Sequence, residues 1–110
     1  MRTSLSPLMQ QIKTHILSVA PDTEFTDNLV ADNFTAHLGR GRIFQISPIT
    51  TRSYDTVAEW PLYVVAIPPP EPGPWECHTM EEILETLRFP TVFPNVRRIS
   101  VAEMRERAGF

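Results

Sequence analysis

Apolar positions along this chain follow two successive periods. Over residues 6–19 they recur every three to four positions. Leu8, Ile12, Ile16 and Val19 fall on one helical face, and Met9 and Leu17 widen it. Ser6 is placed to cap this helix, Pro7 suits its first position, and Pro21 ends it because the residue before a proline avoids helical geometry. From Pro21 to Thr51 the period falls to two. Phe34, Ala36 and Leu38 alternate with polar neighbours, as do Phe44 and Ile46 against Ile43 and Gln45. Between them stands Gly39-Arg40-Gly41, which predicts a hairpin, since glycine supplies the positive φ that tight turns need. A further strand is expected around Phe25 to Val30.

Thr50 to Trp60 is polar and breaks the alternation, which reads as a loop or an irregular strand end. Pro61 to Ile67 is almost continuously apolar and rich in β-branched and aromatic residues, the pattern of a strand buried on both faces or central in a sheet. Beyond it, the proline-rich stretch from Ile67 to His78 reads as a stiff connection from that strand to the next helix. Thr79 and Glu82 then stand at capping-box spacing ahead of Ile83, Leu84 and Leu87, and predict a helix over 80–88 that stops before Pro90. A short strand near Val96 to Ser100 follows. A second box at Ser100 and Glu103 opens a short C-terminal helix through Arg107. The expected fold is a single α+β domain spanning 1–110. It has a mostly antiparallel sheet of four to five strands, two main helices at about 6–19 and 80–88, and the short last helix.

Composition narrows the class without naming a chemistry. A chain of 110 residues, 42% hydrophobic and 21% charged, suits one globular domain, and its net charge of −3 implies no polyanion mimic or partner of one sign. No apolar run reaches transmembrane length, the N-terminus lacks the shape of a signal peptide, and a lone cysteine forms no internal disulfide. A cytoplasmic, non-membrane protein is the expectation. Nine arginines stand against one lysine, Lys13. Arginine's planar fork suits interfaces, although genome bias explains such a ratio more simply.

Candidate chemistry concentrates around "IPPPEPGPWECH", Ile67 to His78. Its Pro69-to-Pro72 segment satisfies the P-x-x-P pattern, but a connection explains it better than a ligand does, because no basic neighbour orients it. Trp75 on that stretch, and Trp60 beside Pro61, are each either packed onto the core or displayed to a partner. Cys77 and His78 are the one adjacent nucleophile–base pair, with His37 or His15 as a distant base and Asp55 or Glu59 to orient it. Sequence neighbours rarely face each other, so a buried, unreactive thiol is the default. Cys77, His78 and His37 lack a fourth metal ligand at useful spacing, and His15 reads as a boundary residue. No phosphate-binding loop, dinucleotide fingerprint, nucleophile elbow or zinc-protease motif is present. No metal or cofactor is expected.

The arginines offer a different prospect. Arg88, Arg97, Arg98, Arg105 and Arg107 gather towards the C-terminus, and Arg40 and Arg42 flank the hairpin. Interleaved Glu103 and Glu106 favour an ion-paired surface over a nucleic-acid footprint. The reading is therefore a non-enzymatic protein-interaction or assembly module. It is either a self-associating structural subunit of virion or tail type or a small inhibitor. Trp75, Trp60, Tyr54, Arg97 and Arg98 are its candidate partner-binding residues, being types that dominate interfaces. A nucleic-acid-binding domain and a thiol enzyme built on Cys77 are the alternatives.

Overall fold

Alternation governs the sheet, and helical periodicity governs the layer that covers it. The computed structural model describes residues 3–39, 41–48, 58–67, 74–88, 97–100, 102, 103 and 106. Helix α1 spans Pro7–Val19. Strands β1 (Glu24–Asn28), β2 (Asn33–His37), β3 (Ile43–Pro48), β4 (Leu62–Ile67) and β5 (Trp75–Cys77) precede helix α2 (Met80–Arg88), and a two-residue strand β6 (Arg97–Arg98) follows. Each strand pairs antiparallel with the next, giving a meander in the order β1-β2-β3-β4-β5-β6. The expected α+β fold is present, as a small single-domain arrangement. Helical backbone at 102, 103 and 106 agrees with the expected last helix.

Register explains why one face of this sheet is apolar. Ala36 faces Phe44, which faces Ala66; Phe34 faces Ile46, which faces Val64; Val64 faces Trp75, and Leu62 faces Cys77. Side chains alternate across a strand, so these residues share one face. All but the half-buried Ala66, which packs against them, form a single buried cluster with Met9, Ile12 and Ile16 of α1 and Ile83 and Leu87 of α2. The strand predicted as central is central, but only its first half is buried on both faces. Leu62, Tyr63 and Val64 are enclosed, whereas Val65 and Ala66 are half-buried and Ile67 is exposed. Cys77 and Trp75 fill the core without needing a loop to display them.

The face of α1 differs from its predicted centre. Leu5, Met9, Ile12 and Ile16 are the buried positions, so the stripe lies one residue to the side of Leu8 and Val19. Leu5, ahead of the helix, continues the three-to-four spacing and sets that centre. Leu17 and Val19 are left 39% and 46% exposed. The predicted cap also differs. Ser6 occupies the N-cap with extended geometry, yet its side chain makes no capping bond, and its buried Oγ has no hydrogen-bond partner among the described residues. Its backbone N–H instead donates to Asp32 Oδ1 at 2.9 Å, while Ala58 N–H donates to Asp32 Oδ2 at 2.8 Å. One buried carboxylate thus ties the start of α1 to the approach to β4. Asp32 holds φ at +52°, in the left-handed region that Asp tolerates better than most residues.

At the other predicted cap, Thr79 Oγ1 accepts from Glu82 N–H at 3.2 Å, and Glu82 Oε2 accepts from His78 N–H at 3.0 Å. The second box forms as well, with Ser100 Oγ accepting from Glu103 N–H at 3.0 Å. The predicted hairpin turns between β2 and β3. Gly41 supplies φ of +72°, and Leu38 N–H donates to Arg42 C=O at 2.8 Å to close the turn.

Candidate functional site

Cys77 is placed by β5, whose alternation sends Trp75 and Cys77 to the helix side and Glu76 to the other. Its Sγ lies 3.7 Å from Thr86 Oγ1 on α2, fully removed from solvent. Burial pushes the thiol up to about 12; Thr86 offsets part of this, and the nearby Glu82 and Glu85 carboxylates add to it. A nucleophile must be a thiolate, so this environment opposes thiol catalysis. His78 turns away from the sulfur, its Nε2 standing 2.6 Å from Glu76 Oε1. His37 pairs with Thr26 across β1 and β2, and His15 Nδ1 lies 2.9 Å from Gln11 O on its own helix. Among the described residues no three His, Cys, Asp or Glu side chains converge as metal ligands.

The five residues expected to meet a partner fare differently. Trp75 is 1% exposed and belongs to the core, which corrects the expectation that it anchors a partner. It opens a strand rather than riding on the proline-rich loop, and pairing with Val64 turns its ring inward. Trp60 is half-buried and packs against the same cluster, just ahead of the cis bond to Pro61. Arg98 is exposed on β6, and Arg97 stands opposite Glu76 in the backbone register. Tyr54 and the Pro69-to-Pro72 segment lie outside the described residues.

A recess that sequence reasoning missed forms where three element ends meet. Val19 and Ala20 bring the C-terminal end of α1, and Leu84, Leu87 and Arg88 bring the last turns of α2. Leu38 and Arg42 bring the β2–β3 hairpin, and Ile16 closes the floor. The groove encloses about 350 Å³. Arg42 is fixed there by two backbone acceptors: its Nε donates to Gly39 C=O at 3.3 Å, and Nη1 donates to Leu87 C=O at 3.2 Å. The second bond meets the negative end of α2, where a cation is favoured. Among the described residues no carboxylate lines the groove. Val19, at the end of the amphipathic stripe of α1, is a sequence signal for it.

A second recess of about 420 Å³ lies beside the start of α1 and β1. Its lining is mixed, and the two charged groups among its described residues neutralise each other, Lys13 Nζ lying 2.9 Å from Asp27 Oδ1. Lys13 also sits 5.1 Å from the Phe25 ring centroid. That corner is a closed local network, whereas the three-element groove keeps apolar surface open. No helix among the described residues is long and apolar enough to cross a membrane. The chain matches no known family model, no curated protein and no solved structure.

Proposed function

We propose that this protein is a non-enzymatic, cytoplasmic protein-binding module of an assembly, and that its contact surface is the groove between the ends of α1, α2 and the β2–β3 hairpin. The observation that supports this most is the pairing of exposed Val19 with a largely apolar recess whose described residues form no catalytic constellation. An apolar floor with a fixed polar rim is how specific contact sites are built, because burying the floor drives association and the rim sets orientation. Edge strand β1, exposed at four of its five positions, offers a place for copies of the chain to add to one another. Cys77 argues against the thiol-enzyme alternative by its burial and its retained proton. Nucleic-acid binding has weaker support, since Arg42 and Arg88 sit among leucines and Arg98 stands at the far edge of the sheet.

A photo-crosslinking amino acid at position 19 tests the reading, with the same group at Val30 as control. Val30 is 58% exposed on the β1–β2 turn and does not line the groove. In extracts of the source cell, position 19 is expected to yield discrete protein adducts that position 30 does not. Equal patterns from both positions, or adducts to nucleic acid alone, contradict the proposal.

A further inference from the structure

We infer that the groove receives an acidic, apolar peptide segment of a partner protein, with the partner's carboxylates held by Arg42 and Arg88. This deepens the proposed function and rests on it. Charge complementarity carries the inference: the two charged residues among the described residues of the lining are both cations, although the chain as a whole has a net charge of −3. A positive site on an acidic protein selects against general electrostatic attraction and for a local match. The C-terminal dipoles of α1 and α2 oppose this with about one negative charge together, against two full positive charges, so the rim remains positive.

The two arginines have different standing. Two backbone carbonyls hold the Arg42 guanidinium, which keeps further N–H donors for a carboxylate and loses little freedom on binding. Arg88 is exposed and makes no ion pair among the described residues. Between them Val19, Leu38 and Leu84 provide apolar surface that a phosphate backbone would not use. Two cations also release few counterions, so nucleic acid would be held weakly and with a shallow salt dependence. A volume of about 350 Å³ is at the small end for binding pockets, which suits the anchoring side chains of a segment rather than a whole ligand.

A random-peptide phage library panned on the immobilised full chain, followed by fluorescence-anisotropy titration of an enriched synthetic peptide, tests this. The expected selection is for Asp or Glu adjacent to Leu, Ile or Phe. Arg88→Gln should weaken binding about threefold, and Arg42→Gln with Arg88→Gln about tenfold or more, with further loss as salt rises. Val19→Ser should weaken it to a similar extent. Arg88 and Val19 are exposed, so those variants keep the fold, and a thermal melt checks the Arg42 variant, which loses its bond to Leu87. Peptides without acidic excess, or with affinity indifferent to both arginines, overturn the inference. If such peptides still lose affinity in Val19→Ser, the groove stands as a contact surface and only its chemistry is wrong. Recovery of no binder at all counts against both. Tighter binding of single-stranded DNA, or an arginine-dependent dimer in light scattering, also overturns the acidic-partner assignment.

Discussion

Asp32 and Cys77 show how single residues in this chain are governed by contacts made far along the sequence. Asp32 joins Ser6 and Ala58 through its two oxygens, each partner 26 residues away, and nothing local to it signals that role. Cys77 was legible as a buried, unreactive thiol because that is the default for a lone cysteine, and the structure adds the reason. With the thiol at about 12 in the folded chain against an ordinary 9.0, the thiolate fraction at neutral pH falls about a thousandfold on folding. Iodoacetamide should therefore label native protein far more slowly than protein in urea; equal rates would mean that the sulfur is open. The same shift has a sign in stability. Below pH 9 both states keep the proton and nothing changes. Between about pH 9 and 12 only the unfolded chain releases it, so stability falls by about 1.4 kcal/mol per pH unit relative to a Cys77→Ala variant. Denaturant titrations of both proteins at alkaline pH measure that difference. Trp75 was harder to read. Its place beside the prolines is compatible with packing or with display, and its pairing with Val64 turns it inward.

Helix α2 was readable almost to the residue because its stop, its box and its apolar spacing lie close together. Strand β5 was not: three residues after a run of prolines carry too little alternation to announce a strand, and the ladder to β4 makes it one. The two main helices also separate a formed cap from an unformed one. Thr79→Ala should cost about 1 kcal/mol, because Glu82 N–H loses its acceptor. Ser6→Ala should cost almost nothing or stabilise slightly, because it removes a buried hydroxyl that has no partner among the described residues. Urea denaturation of both variants checks the ranking, and equal losses would show that Ser6 caps after all. The displaced stripe of α1 follows the same logic. Leu8 and Val19 satisfied the periodicity, yet Leu5 and Met9 decide which face turns to the sheet, and that leaves Val19 beside the groove.

At the scale of the whole molecule, one apolar sheet face covered by two helices accounts for the core. The fold class was legible because alternation and helical spacing each mark the side that must be buried. The groove was not, because it depends on where three element ends meet, and no short-range pattern encodes that meeting. Nor did the arginine cluster near the C-terminus mark it; the groove takes Arg88 from that group and Arg42 from the hairpin. The central claim is that this junction is the contact surface. Mapping amide chemical shifts of the labelled full chain during titration with a library-selected peptide tests it most directly. Saturable shifts centred on Val19, Ala20, Leu38, Leu84 and Leu87 are predicted. Shifts centred instead on Thr26, His37 and Val65, across the opposite face of the sheet, would contradict it.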